Sequence, residues 1–118
     1  MASNKSILVL EDEMLVALDL EASFMDAGYS VTLARTCEEA AEFLDHNRPD
    51  LAVLDVRLSD GECVLAAKKL VDLGVPFIVH TGLLGNSHDP VFSLGSMVYK
   101  PAATPAIVEL AGSLLGQT

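Results

Sequence analysis

No stretch of this 118-residue chain comes near the roughly 20 consecutive apolar residues that a membrane-spanning helix needs. The longest uninterrupted apolar runs are strand-length, so no membrane partner is expected. Met1 to Ser6 holds one lysine and no apolar stretch, unlike a secretory signal, and the expected location is cytoplasmic. Basic residues are scarce: seven Lys and Arg stand against 17 Asp and Glu, for a net charge of −10. Those seven are scattered, so the basic patch of a nucleic-acid binder is missing and no nucleic-acid partner is expected. There are two cysteines, Cys37 and Cys63, far apart in sequence and outside any C-x-x-C or Cys/His metal spacing. They are expected to be reduced thiols packed as small hydrophobes. Linkers, repeats and low-complexity tracts are absent too, so residues 1–118 read as one domain.

What is present is an alternation of short apolar runs with amphipathic stretches, the pattern of βα units around a parallel sheet. Ile7 to Leu10 reads as a first strand, stopped by Glu11-Asp12-Glu13. Leu15, Leu18, Ala22 and Met25 then recur at helical spacing and are expected to face the core, with Gly28 ending the helix. Val31 to Ala34 is a second strand. Thr36 and Glu39 form a capping box for a helix that turns Ala40, Phe43 and Leu44 inward, broken at Asn47-Arg48-Pro49. Leu51 to Leu54 is the third strand and runs into Asp55. After the turn Ser59-Asp60-Gly61, a helix with Val64, Ala67 and Val71 on one face closes at Gly74. Phe77 to Val79 delivers His80 and Thr81, and Met97 to Tyr99 delivers Lys100. Thr104 and Pro105 read as N-cap and first turn of a last helix burying Ile107, Leu110 or Ala111, and Leu114. Between Gly82 and Leu94, Gly85, Asn86 and Pro90 leave room for only a turn or two of helix.

In open parallel sheets, functional groups gather beyond the carboxyl ends of the strands. Four strand ends here carry chemistry: Glu11 and Asp12, Asp55, Thr81, and Lys100. Singly, each is an ordinary loop charge or hydroxyl. Together they form a reagent set for phosphoryl transfer. Asp55 supplies a carboxylate nucleophile. Glu11 and Asp12 suit a hard cation such as Mg²⁺, which keeps waters and takes one or two carboxylates. Lys100 and the Thr81 hydroxyl suit equatorial phosphoryl oxygens.

The motifs Val9-Leu10-Glu11-Asp12-Glu13, Leu54-Asp55-Val56-Arg57, Asp60-Gly61, Thr81-Gly82 and Lys100-Pro101 resemble those of response-regulator receiver domains, in order and with the right separations from residue 6 to 116. The resemblance implies an α/β, flavodoxin-like, doubly wound (βα)5 fold. Its central parallel five-stranded sheet would be ordered 2-1-3-4-5, with the fourth helix short or irregular. It implies Asp55 as phosphoacceptor, Glu11, Asp12, Asp55 and the Arg57 backbone carbonyl as Mg²⁺ ligands, Thr81 as switch hydroxyl, Lys100 as phosphate partner and a cis Lys100-Pro101 bond. The implied partner is a sensor histidine kinase or a histidine phosphotransfer protein, with signalling onward by protein contact to a target the sequence does not name. Such a domain is a phosphoacceptor with intrinsic self-phosphorylation and dephosphorylation rather than an enzyme in its own right, and here it would lack an output domain. In the family, the places of Arg57 and Leu83 tune the dephosphorylation rate. Where the family carries a switch aromatic, this chain has Met97, with Tyr99 expected on the same strand face. The short run from Thr81 to Lys100, with Pro76-Phe77 and Thr81-Gly82, is similar to the alphaproteobacterial FAT GUY subgroup, although Val79-His80 replaces its Phe-Ala.

Three rivals meet contrary residues. A haloacid-dehalogenase type phosphatase wants a second Asp two positions after the nucleophile, where Arg57 stands. A nucleotide-binding module wants a glycine-rich loop after the first strand, where the chain reads Glu-Asp-Glu. A degenerate, partner-binding receiver would lack one of the phosphorylation residues, and all of them are present. His80, beside Thr81, is expected to be packed or at the surface, and His46 and His88 solvated.

Overall fold

The computed structural model describes residues 5–82 and 89–116. Five strands build one parallel sheet: β1 (Ser6–Leu10), β2 (Ser30–Ala34), β3 (Leu51–Leu54), β6 (Phe77–Thr81) and β7 (Ser96–Tyr99). Between β3 and β6 a two-residue hairpin, β4 (Arg57–Leu58) with β5 (Gly61–Glu62), turns over Ser59 and Asp60. The sheet order is β2-β1-β3-β6-β7, the expected 2-1-3-4-5 once the hairpin is set aside. The central strands are apolar at nearly every position because both of their faces are covered. Leu8, Leu10, Ala52, Leu54, Phe77 and Val79 point into one core layer. Their neighbours Ile7, Val9, Leu51, Val53 and Ile78 point into the other. Each such side chain withdrawn from water contributes about 1.5–3 kcal/mol, so strand burial rather than helix propensity anchors the register.

Helices α2 (Cys37–His46) and α3 (Val64–Leu73) cover the first layer, and α1 (Met14–Asp26) and α4 (Thr104–Leu114) the second. At the entry to α2, Thr36 Oγ1 accepts from the Glu39 amide at 3.0 Å, as the capping box requires. The Glu39 carboxylate accepts from the Arg35 amide instead of closing the box on Thr36. Gly74 ends α3 in the left-handed region at φ 71°, where only glycine sits without strain. Gly95 is a glycine for a different reason: a Cβ there would lie 2.5 Å from two ring carbons of Phe77.

The inward faces of the helices differ from expectation. In α1 the buried residues are Ala17, Leu20 and Phe24, while Leu15, Leu18 and Met25 are 85%, 46% and 58% exposed and Ala22 is exposed. Both series repeat at helical spacing, and packing settles the choice. Small Ala17 lets the helix close on the sheet, and the Phe24 ring meets Tyr29 edge-on at 5.7 Å. In α3, Ala66, Ala67 and Leu70 are buried and Val71 is exposed. In α2, Ala41 joins Ala40 and Leu44 inside, with Phe43 half-buried. Thr104 does not cap α4; Ala103 holds that place, and the Thr104 hydroxyl donates to Asp19 across to α1. Ile107 and Ala111 are buried, whereas Leu114 is exposed.

Ahead of β7 the described residues form a 3₁₀ turn, Pro90–Leu94, whose Val91 and Phe92 are buried. This agrees with a short fourth helical element. Residues 83–88, with the expectations placed on Leu83, Gly85, Asn86 and His88, lie outside the described residues. No helix among the described residues is long and apolar enough to cross a membrane.

Candidate functional site

The acidic cluster assembles because β1 and β3 are neighbours in register, with Leu10 opposite Leu54. Their next residues, Glu11 and Asp55, therefore emerge side by side. The Asp55 amide donates to the Leu10 carbonyl at 3.2 Å, which holds the two strand exits together. From the other side, β6 brings Thr81 and β7 brings Lys100, whose amide donates to the Thr81 carbonyl at 2.9 Å. The Lys100–Pro101 bond that follows is cis, as expected.

The Lys100 ammonium lies at the centre of the cluster. It donates to Asp55 Oδ2 at 2.9 Å and pairs with Glu11 Oε1 at 3.0 Å and Glu13 Oε1 at 3.3 Å. Burial by itself would lower the lysine pKa. The hydrogen bonds and charges of Asp55 and Glu11 outweigh it and raise the pKa above the ordinary lysine range, so Lys100 is a fixed cation. Glu11 is 2% exposed, and its burial pushes its carboxyl above the usual 4.5 despite Lys100 and the Glu13 amide, which donates to its second oxygen at 3.1 Å. Glu13 is thus part of the network, a role the residue-by-residue reading did not assign; the Glu-Asp-Glu run was its signal.

Asp12, Glu13, Asp55, Arg57, Gly82 and Lys100 line a shallow depression of about 290 Å³. Among the described residues a Cβ on Gly82 would meet Lys100 Cβ at an ordinary 3.8 Å and clash with nothing. Thr81 is buried and does not line the depression. The exposed Arg57 side chain pairs with Glu62 at 3.0 Å across the hairpin. Among the described residues no three acidic or imidazole groups converge into a ready-made cation cage. The donor set nevertheless fits Mg²⁺: the carboxylates of Glu11, Asp12 and Asp55 are hard oxygen donors, and an ammonium already sits among them where positive charge is favoured. A site with few protein ligands suits an ion that keeps several waters.

Two features were not foreseen. Cys37 and Cys63 form a disulfide, with Sγ–Sγ 2.03 Å and Cα–Cα 5.0 Å, which corrects the expectation of free thiols. They meet because α2 and α3 pack side by side on one face of the sheet and both begin at the same end. Cys37 is the first residue of α2, and Cys63 caps α3. Beside them the Asp60 carboxylate accepts from the Cys37 and Glu38 amides at 2.8 and 3.0 Å, and these bonds hold its pKa below the usual value. The second feature concerns His80, which is packed as expected at 5% exposure but has no hydrogen-bond partner for either ring nitrogen among the described residues. It lines a cleft of about 480 Å³ between α1 and the start of α4, shared with Leu15, Val16, Asp19, Pro101 and Thr104. Burial, then the Lys100 charge, keeps its pKa below 6.5. Met97 and Tyr99 do share a strand face, and both are exposed. His46 is exposed, as expected.

Comparison with known proteins identifies the family. The chain is 35% identical over 114 residues to the phyllosphere-induced regulator PhyR of Methylorubrum extorquens, an alignment covering 89% of this chain and 42% of that protein. It therefore spans less than half the length of this curated relative. Among solved structures, a mutant of the anti-anti-sigma factor PhyR from Bartonella quintana superposes with a TM-score of 0.78 at 25% identity, covering 98% of this chain and 50% of that one. The receiver domain of sensor histidine kinase PA1611 from Pseudomonas aeruginosa, described with a magnesium ion coordinated in its active-site cleft, superposes with a TM-score of 0.82 at 23% identity, covering 98% and 100%. Residues 7–94 match the response regulator receiver domain family. The chain belongs to that family.

Proposed function

We propose that this receiver domain accepts a phosphoryl group on Asp55 from a sensor histidine kinase or a histidine phosphotransfer protein, and passes the signal on by protein contact. The observation that carries the reading is the Asp55 carboxylate at the exit of the central strand, held at 2.9 Å by an ammonium that also bridges to buried Glu11. In the transfer, an Asp55 oxygen attacks phosphorus, the donor's P–N bond breaks, and the donor imidazole keeps the electron pair. Lys100 stands where charge develops on the phosphoryl oxygens, and a cation fixed before the reaction lowers the barrier without reorganising. Glu11, Asp12, Asp55 and the Arg57 backbone carbonyl would hold Mg²⁺, which when bound supplies charge neutralisation for the incoming phosphoryl oxygens. Thr81, at the root of the segment that leads to β7, is the hydroxyl suited to follow the phosphoryl group and bias the conformation of that segment.

The exposed α1 stripe of Leu15, Leu18, Ala22 and Met25 supports a protein partner, since contiguous apolar surface on a chain with net charge −10 is otherwise unfavourable. PhyR of Bartonella quintana, which this chain resembles in structure, is an anti-anti-sigma factor, and a role of that kind is the output proposed here. The expected setting is cytoplasmic, and the domain's chemistry is phosphoacceptance rather than turnover of a free substrate. Incubation with Mg²⁺ and acetyl phosphate should add one phosphoryl group, detected by intact mass, and Asp55→Asn should abolish it. Stoichiometric labelling that persists in Asp55→Asn would overturn the assignment.

A further inference from the structure

The loop that follows Asp55 is fastened to α2 twice. Asp60 accepts from the first two amides of that helix, and Cys63 is bonded to Cys37. Within the loop, the Cys63 amide donates to the Val56 carbonyl at 2.9 Å, and Arg57 pairs with Glu62. The run from Val56 to Cys63 is thus a small closed unit. It begins at the residue after the acceptor, carries the Arg57 carbonyl, and is clamped at its far end by a covalent bond.

The chemistry of that bond points to exchange rather than permanence. Both sulfurs sit at helix N-termini, Cys37 as the first residue of α2 and Cys63 as the cap of α3, where the helix dipoles favour thiolate. Glu38, Glu39 and Asp60 oppose this at Cys37 with negative charge. The two residues differ in burial: Cys63 is fully buried, whereas Cys37 is half-buried and the more accessible of the pair. A disulfide is also not the resting state of a thiol pair in a reducing compartment.

We propose that Cys37–Cys63 is a reversible thiol–disulfide exchange site whose redox state sets how tightly the acceptor site holds Mg²⁺. The regulatory half of this proposal rests on the acceptor reading of Asp55. In the oxidising direction the Cys37 thiolate attacks a low-molecular-weight disulfide such as glutathione disulfide. That S–S bond breaks, and one glutathione thiolate leaves. The Cys63 thiolate then attacks Cys37 Sγ of the mixed disulfide and releases the second glutathione thiolate. The two protons lost by the cysteines end on the two glutathione molecules, and two electrons pass from the pair to glutathione disulfide. Excess reduced glutathione runs the steps backwards, with Cys37 Sγ as the accessible point of attack. Closed, the bond stiffens the unit that presents the Arg57 carbonyl. Open, the loop is held to α2 by the Asp60 bonds and the 3.3 Å contact of Cys37 Sγ with the Gly61 carbonyl, without a covalent link.

The test uses the intact protein equilibrated in glutathione buffers from fully reduced to fully oxidised. Thiols are trapped by alkylation and counted by mass, and Mg²⁺ affinity is measured by calorimetry on each form. The pair should interconvert as a unit. The reduced form should bind Mg²⁺ about three- to tenfold more weakly, below the 10–100-fold typical of losing a direct outer-shell contact. Cys37→Ser should bind like the reduced form and lose the redox dependence. The wild-type comparison stands by itself should that variant fold poorly. Equal affinities in the two wild-type forms, or a pair that excess reduced glutathione does not open in the folded protein, would overturn the proposal. Acetyl phosphate labelling of both forms separates the two readings. No label on Asp55 in either form removes the acceptor reading, whereas labelling of both with one shared Mg²⁺ affinity removes only the redox control.

Discussion

His80→Leu should make this protein more stable, against the ordinary expectation for a core substitution. His80 is 5% exposed, and among the described residues neither Nδ1 nor Nε2 has a hydrogen-bond partner. Each buried donor or acceptor left unpaired costs about 1–3 kcal/mol relative to its hydrated state in the unfolded chain. Leucine fills a similar volume with apolar atoms, on a strand position facing the layer that holds Ile78 and Ile107. Discounting for imperfect fit, the gain should be about 2 kcal/mol. For a chain of 118 residues the unfolding entropy is about 250 cal/mol/K, so the melting temperature should rise by roughly 8 °C. The pH dependence supplies a second signature. The folded-state pKa of His80 is held below 6.5, chiefly by burial, so the unfolded chain takes up a proton first as the pH falls. Wild-type stability therefore drops as pH falls from 6.5 toward the folded pKa, and His80→Leu escapes that loss. The advantage of the variant should be constant above about pH 7.5 and widen below 6.5. Urea melts across that range measure it. A variant less stable than wild type, or a difference that does not change with pH, would refute the reasoning.

Gly95→Ala should destabilise by about 1–3 kcal/mol in urea melts, because the new methyl would stand 2.5 Å from the Phe77 ring and 2.8 Å from its carbonyl oxygen. A neutral result would mean that β7 can move away from β6 without loss. Lys100→Ala should slow acetyl phosphate labelling of Asp55 by on the order of a hundredfold, since it removes a fixed cation from the reaction site. Without Mg²⁺ the same change should cost roughly 3 kcal/mol at neutral pH, because buried Glu11 loses its counter-charge. The Glu11 pKa is already raised by burial, so this penalty is absent below about 4.5 and grows as pH rises through the folded value. Acid and neutral melts of the variant check it, and a penalty that persists at low pH would contradict the assignment.

The sheet was legible because doubly covered parallel strands have no polar face. Four consecutive apolar residues such as Leu51 to Leu54 leave no choice of orientation to make, and all four are buried. Helix faces were less legible for the complementary reason. In α1 the series Leu15, Leu18, Ala22, Met25 and the series Ala17, Leu20, Phe24 obey the same spacing. Only contact with the sheet and with Tyr29 decides between them. A helix apolar on two sides turns one of them to its own core and leaves the other exposed. The Thr104 assignment failed in a related way: a hydroxyl near a helix start has several acceptors in reach, and Asp19 on a distant helix won.

The candidate site was legible to the extent that it is made of strand ends. Glu11, Asp55, Thr81 and Lys100 each stand at or just beyond the end of a β-strand, and parallel pairing in register brings such residues to one edge without further information. The disulfide was not legible, since it depends on two helices starting at the same end of the fold, and nothing in the run between Cys37 and Cys63 encodes that distance. His80 fell between these cases. Its place at the end of β6 follows from the strand pattern, but its isolation does not, because that depends on which groups α1, α4 and the turn after Lys100 withhold from it. Position along a strand is a local property, whereas a partner, or the lack of one, is set by residues far away in the chain. The proposed acceptor chemistry rests on the first kind of fact, while the disulfide and the isolated imidazole rest on the second.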